Sequence, residues 1–455
     1  MLDNVTTLKL LDAYARIPTI SSEINPEMVE QVRSFWRDLG VEFELLWPEE
    51  PAKGDIHNPA LYTEVKADVA DAPTLLLYGH WDVQPTGDLS KWQWREQPCP
   101  PFEPTYFVDE KYVGSDPQEV LAKVGTENLG KLMMVARGTA DNKGQHLANI
   151  LGVLKAKAAG QLQWNVRIIL DGEEEVGSPN LAAIVQTHRE KLLANFMVGS
   201  DGPKSDNRPT LLLGVRGLLA VILRCENGTN RMLHSGNYGN VVQNPVLPLS
   251  RLLQEMQEAT REMGQASANF RQEVDRYFER QSPDRPRYEP FLTPTFNVNS
   301  LLTEGATTGQ KRTIIPSWAE ASIDVRLTPG MVPLEVYRRL EELTAAANEK
   351  EQGVQFSIEM QSACAASYTS PAREGYQWLT GLTHRFWGDS VLTIPLLGGT
   401  LPNDVFTDGL GMASYWLPAA NSNNRQHDTN EHFVLEHFFR QQEFYAMLAS
   451  SPYQG

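Results

Sequence analysis

The chain has 455 residues, 41% of them hydrophobic and 21% charged, with a formal net charge of −17. That length exceeds what one hydrophobic core usually serves, so two domains are expected, and the composition excludes a disordered chain. The acidic balance argues against nucleic acid or an anionic membrane as partner, and three scattered cysteines, Cys99, Cys225 and Cys364, supply no disulfide framework.

In chain order, Leu8, Leu11 and Tyr14 recur at helical spacing among charges, which predicts an N-terminal helix rather than a signal peptide. No stretch approaches the ~20 apolar residues that span a bilayer, so a cytoplasmic location is expected. "TLLLYGH" reads as a buried strand ending at His80, with Asp82 just beyond. "RGTADNKGQ" carries Asp141 and leads into a helix whose Leu147, Ile150, Leu151, Leu154 and Ala158 share a face, with Gly160 as its stop. "NVRIILDGEEE" is a second strand, ending at Asp171 to Glu175, and "NFMVGSDG" a third, ending at Asp201. Strands alternating with helices imply crossover connections and a mainly parallel sheet. In such sheets ligands gather beyond the carboxyl ends of the strands.

The segment 214–365 has a different texture. "GLLAVILRCENG" and "AEASIDVRLTP" alternate like half-buried antiparallel strands, with "LSRLLQEMQEATREM", "FRQEVDRYFERQ" and "EVYRRLEELTAAANEKEQ" as helices around them. This predicts an inserted α+β domain over 214–365. The segments 1–213 and 366–455 would then be the two parts of one interrupted α/β domain.

Five polar places mark the strand ends and loops: His80 with Asp82, Asp141, the Glu173-Glu174-Glu175 run, Asp201, and His427. Singly each has an ordinary reading, Asp141 as a helix N-cap and the acidic run as a solvated helix start. Together, imidazole and carboxylate suit a borderline divalent metal such as zinc, and their number suits two ions sharing one carboxylate. Asp82 would fix the tautomer of His80 through its second ring nitrogen.

"GHWDVQP", "RGTADNKGQ", "EEEVGS", "VGSDGP", "LHSGNYGN", "LLGGT" and "HDTNE" occur in this order along nearly the whole chain. The series resembles the co-catalytic dinuclear metallopeptidases that include cytosolic non-specific dipeptidases, carnosinases, aminoacylases and succinyl-diaminopimelate desuccinylases. The dipeptidase and carnosinase-like branch is the nearest match. The resemblance implies a zinc-peptidase-like α/β catalytic domain with a mixed, mainly parallel sheet, interrupted by an α+β lid that also mediates homodimerisation. It implies two divalent ions, zinc first and manganese or cobalt as substitutes. His80 and Asp201 would hold one ion, Glu175 and His427 the other, and Asp141 both. Glu174 would be the general base and Asp82 an orienting acid, while His432, close to His427 in sequence, would be an ordinary surface or packing residue. The resemblance also implies a cis bond between Asp141 and Asn142.

In the lid, His234 resembles a histidine that steadies the oxyanion in a neighbouring subunit, and Arg326 one that grips the substrate carboxylate. Gly398, Gly399 and Thr400 would line the substrate end. The implied activity is hydrolysis of dipeptides or short peptides. An N-acyl amino acid deacylase with the same site, and a non-catalytic binding homologue, are the alternatives.

Overall fold

The computed structural model describes residues 2–52, 57–305 and 312–453. In chain order its elements include helix α1 (Asn4–Ala15), strands β1 (Glu44–Leu46), β2 (Ala60–Val65) and β3 (Thr74–His80), and helix α2 (Lys143–Ala158). Strands β4 (Asn165–Asp171), β5 (Phe196–Gly199), β6 (Thr210–Leu212) and β7 (Gly217–Glu226) follow, then helix α3 (Val246–Met263). Next come β8 (Thr295–Thr303), β9 (Trp318–Leu327), helix α4 (Pro333–Lys350) and β10 (Gln355–Cys364). The chain ends with β11 (Leu392–Ile394), β12 (Ala413–Trp416) and helix α5 (Leu435–Ser450).

The chain forms two compact units, one of Met1–Leu213, Thr369–Ile394 and Val405–Gly455, the other of Gly214–Tyr368 and Pro395–Asp404. The sequence boundaries kept 366–455 together, whereas Pro395–Asp404 groups with the second unit. The reason is backbone pairing: the Leu397 N–H donates to the Gly214 carbonyl at 2.8 Å, and Arg216 N–H reaches the carbonyls of Leu397 and Gly399. A short loop has no periodicity from which that pairing could be read.

In the first unit, the Asp3 side chain accepts the Thr6 N–H at 2.8 Å and starts α1, which buries Leu8, Leu11 and Tyr14. The sheet runs β1-β2-β4-β3-β5-β12-β6-β11. Its centre, β4-β3-β5-β12, is parallel throughout, while β1, β2 and the β12–β6 contact are antiparallel. The fold is thus mixed α/β with a mainly parallel centre, as the strand and helix alternation predicts. β3 is buried from Leu75 to His80, which explains why it reads as a continuous apolar run rather than an alternating one. α2 is buried on almost every side from Lys143 to Val153, so it is a core helix, and Ala158, assigned to its buried face, is exposed in the last turn. Gly160, at φ +65°, takes the left-handed turn that ends it.

The second unit is an antiparallel sheet in the order β8-β9-β7-β10. Alternation along β9 buries Ala321, Ile323 and Val325, which join Leu219, Val221 and Leu223 of β7. Leu249, Leu252 and Met256 of α3 and Val336 and Leu340 of α4 complete that core. Each fully buried aliphatic side chain of this size contributes about 1.5–3 kcal/mol relative to exposure.

Candidate metal centre

Three adjacent parallel strands stop side by side in the first unit. His80 of β3 stands opposite Asp171 of β4, and Tyr78 opposite Gly199 of β5, so Asp201 lies just past the same edge. Asp141 lies two residues before α2, and the Asp141–Asn142 bond is cis. His427 comes from the loop between β12 and α5, at φ +60°.

The two oxygens of Asp141 face different histidines: Oδ1 is 2.9 Å from His80 Nε2, and Oδ2 is 3.1 Å from His427 Nε2. His80 Nε2 also lies 3.5 Å from Asp201 Oδ2 and 3.9 Å from Glu174 Oε2. His427 Nε2 is 3.2 Å from Glu175 Oε2. Two sets, His80 with Glu174 and Asp201, and His80 with Asp141 and Glu175, each bring their ligand atoms within 4.8 Å of one another. His80, Asp141 and Asp201 are buried, while the His427 side chain is 60% exposed.

The ring of His80 has a definite tautomer. Its Nδ1 faces two acceptors of Asp82, the carbonyl oxygen at 3.1 Å and Oδ1 at 3.2 Å. Nδ1 therefore carries a proton, and Nε2, which faces three carboxylates, is left for a second proton or for a cation. Lone pair against carboxylate is repulsive unless a cation or a second proton lies between.

The electrostatics carry the same strain. Burial, followed by the charge of Asp141, pushes Glu175 up to about 7 and raises Asp201. Burial also raises Glu174 well above the ordinary carboxylate range. Burial opposes the charged form of His80 too, but the hydrogen bonds of Asp141, Asp201 and Asp82 outweigh it and raise the ring well above its usual value. Hydrogen bonds to Asp141 and Glu175 push His427 up to about 10. Four carboxylates crowded out of water around two imidazoles lack positive charge, and the N/O donor set fits divalent cations.

Further residues hold these candidate ligands in place. The Asp82 carboxylate accepts the backbone N–H groups of Glu174 and Glu175 at 3.3 and 3.1 Å, and the Ser21 hydroxyl at 2.7 Å. Gln84 Nε2 donates to Glu175 Oε2 at 2.9 Å. Glu173, the first of the acidic run, is instead an anchor, accepting Asn58 N–H at 2.7 Å and the Asn180 side chain at 2.8 Å. Glu431 accepts the Ala140 and Asp141 N–H groups through Oε1, and Gly138 N–H and Arg137 Nη1 through Oε2. The sole sequence signal for Glu431 was its place in "HDTNE". His432 is buried, its ring 5.0 Å from that of Trp94.

The remaining candidates lie in the second unit. His234 is exposed on a two-residue strand, and its Nδ1 accepts the Gly236 N–H at 3.1 Å. Arg326 Nη1 donates to Thr400 Oγ1 at 2.8 Å. Gly399 gives its carbonyl to Arg216 N–H at 3.2 Å, and a Cβ at Gly398 would sit 2.8 Å from the Phe291 ring.

The sequence profile of "Peptidase family M20/M25/M40" matches residues 76–451. Beta-Ala-His dipeptidase of Rattus norvegicus is 27% identical over 290 residues, 57% of this chain. The match spans 53% of that relative, about half its length. Cys-Gly metallodipeptidase dug1 of Schizosaccharomyces pombe is 23% identical over 94% of this chain and 92% of its own. Among solved structures, the M20 family metallo-carboxypeptidase Sso-CP2 from Sulfolobus solfataricus superposes with a TM-score of 0.74 at 22% identity, covering 99% of both chains. Human carnosine dipeptidase 1 does so with a TM-score of 0.66 at 19% identity, covering 98% of this chain and 96% of its own. At these identities the structural likeness speaks for the fold.

Proposed function

This chain belongs to the peptidase family M20/M25/M40, and we propose that it is a metal-dependent hydrolase of dipeptides or short peptides with a two-ion site. The names of its relatives, Beta-Ala-His dipeptidase and Cys-Gly metallodipeptidase, support the substrate class. The observation that carries the reading is Asp141, whose two oxygens face His80 and His427 separately.

His80 and Asp201 would hold one ion, Glu175 and His427 the other, with Asp141 shared; zinc suits this donor set best, and manganese or cobalt can replace it. When bound, the ions supply Lewis acidity that polarises the scissile carbonyl and acidifies the attacking water. Glu174 takes the proton from that water and returns it to the leaving amine. Its burial raises its affinity for a proton, as this double duty requires. Asp82 holds the Nε2 lone pair of His80 free for binding. Glu175 is no candidate for the base, because its lone pairs are engaged as a ligand.

In the second unit, Arg326 is assigned to the substrate carboxylate, with Gly399 and Thr400 beside it, and His234 to oxyanion stabilisation in a neighbouring copy. Homodimerisation through this unit belongs to the same reading. The edge strand β8, which exposes Val298, Leu301 and Leu302, supports it, and sedimentation equilibrium tests it.

The deciding experiment is turnover by metal-reconstituted protein on a dipeptide panel beside N-acetyl and N-succinyl amino acids. Cleavage of dipeptides is expected. Activity confined to the acyl amino acids would replace the reading with a deacylase, and metal uptake with no turnover on either would leave a binding homologue.

A further inference from the structure

Asn142 stands at the N-cap of α2, yet its side chain makes no capping hydrogen bond. It is fully buried and serves two strand ends instead. Its Nδ2 donates to the Ser200 carbonyl at 2.5 Å, and its Oδ1 accepts the backbone N–H of His80 at 3.4 Å. Ser200 is the residue before Asp201, so one amide holds the backbone beside two of the candidate ligands. Gly79 lets β3 come this close to α2: a Cβ there would sit 2.7 Å from His146 Cβ and 2.9 Å from Asn142 Oδ1.

A further layer stands behind Asn142. One turn along α2, His146 Nδ1 lies 3.1 Å from Asn142 Oδ1, and its Nε2 lies 3.0 Å from the Tyr14 hydroxyl of α1. Every donor in this chain follows from its inner end. The Ser200 carbonyl only accepts, so the amide turns Nδ2 to it and Oδ1 to His146; Oδ1 only accepts, so Nδ1 carries the ring proton; Nε2 then accepts from the Tyr14 O–H. Burial, and then the charge of His80, lower the His146 ring well below its usual value, which agrees with a neutral ring. Asn149, on the same face of α2, donates from Nδ2 to Ser200 Oγ at 2.6 Å.

Tyr14, Asn142, His146 and Asn149 are all buried. Paired polar groups add little net stability over apolar ones of the same shape. What they add is direction, and the inner end of this chain is the backbone at His80 and Ser200. None of the hydrogen bonds of Glu175 or His427 involves it.

We propose that His146 and Tyr14 are positioning residues for the ion assigned to His80 and Asp201, acting through Asn142 on the backbone at both ligands. The inference rests on the two-ion reading for its ligand. Loss of the chain weakens that ion more than the one assigned to Glu175 and His427.

The test is titration of the metal-free full chain with zinc against a chromophoric chelator, together with anomalous scattering from crystals grown at limiting zinc. His146→Leu is expected to weaken one of two binding steps by about 10–100-fold, as loss of an outer partner does, with the anomalous peak lost at His80 and kept at His427. Tyr14→Phe, which removes only the hydroxyl, should weaken the same step by about 2–10-fold, the equivalent of one neutral hydrogen bond. His146→Asn, whose amide can take the place of Nδ1, should restore part of the loss. Both steps unchanged or equally weakened in a folded His146→Leu overturns the proposal, since a merely structural role would not favour one ion; so does loss of the peak at His427 instead. Where His146→Leu does not fold, Tyr14→Phe decides by the same criteria. A wild type that takes up a single zinc ends the two-ion reading on its own: weakening of that one step in Tyr14→Phe then upholds the positioning role, and an unchanged step overturns it too.

Discussion

The backbone N–H of Asp141 donates to Oε1 of Glu431 at 2.9 Å, across 290 residues of sequence. The other oxygen of Glu431 meets Nη1 of Arg137 at 2.7 Å, with both side chains essentially buried. One carboxylate thus clamps the loop that presents Asp141, the proposed shared ligand. Replacing it by Glu431→Gln leaves the Arg137 charge buried and unpaired, for a loss of about 3 kcal/mol or more in urea denaturation. The bound-metal content of the folded fraction should fall as well.

Glu174 reaches no closer than 3.9 Å to His80 Nε2, the longest contact of the cluster, which suits a base better than a ligand. Glu174→Gln is expected to retain metal by elemental analysis while kcat drops by about 10²–10⁴-fold. Turnover close to wild type would assign the proton transfer to another group.

Asp82 connects the candidate ligand cluster to the backbone of Glu174 and Glu175 while orienting His80. Asp82→Asn should weaken metal affinity by about 10–100-fold, measured by competition with a chromophoric chelator, because an outer hydrogen-bond partner sets ligand basicity and tautomer. Chelation of the wild type should abolish turnover and lower the melting temperature, since binding to the folded state alone stabilises it. Unchanged melting after complete metal removal would contradict the crowding of uncompensated carboxylates.

Away from the cluster, His437 Nδ1 accepts from Lys204 Nζ at 3.1 Å. Burial, and then the Lys204 charge, push His437 from 6.5 down to about 3. The folded state thus binds this proton less tightly than the unfolded one. Its contribution to stability is complete above about pH 6.5 and is lost as pH falls toward about 3. His437→Gln should flatten the acid limb of the stability profile by at most about 1.4 kcal/mol per pH unit, read from urea midpoints of metal-free protein.

Gly152 lies where α2 crosses α5. A Cβ there would come within 2.6 Å of the Gln442 carbonyl oxygen and 2.7 Å of Tyr445 Cβ. Alanine gains about 1 kcal/mol of helix propensity in isolation, but the close neighbours include backbone that cannot turn aside. Gly152→Ala is expected to destabilise by about 1–3 kcal/mol net, with a lowered urea midpoint as the readout.

The mixed α/β architecture was legible because β3, β5 and the second half of β4 are buried on both faces and read as short apolar runs, while α2 carries an apolar pattern long enough to identify as a helix. The polar residues that end those runs, His80, Asp171 and Asp201, drew notice for the same reason: polarity is conspicuous where an apolar stretch stops. The partners of Glu431 and Gln84 were not legible even though both lie in quoted motifs, since one polar residue in a loop has no period and its partner is fixed only by three-dimensional proximity. The grouping of Pro395–Asp404 with the second unit came likewise from backbone pairing with Gly214–Arg216. Local pattern therefore determined which segments become strands and helices and which polar residues they deliver. Only the tertiary structure decided which oxygen of Asp141 meets which histidine, and that Glu431 clamps the loop carrying Asp141, because hydrogen bonding and burial depend on neighbours that the chain brings together from hundreds of residues apart.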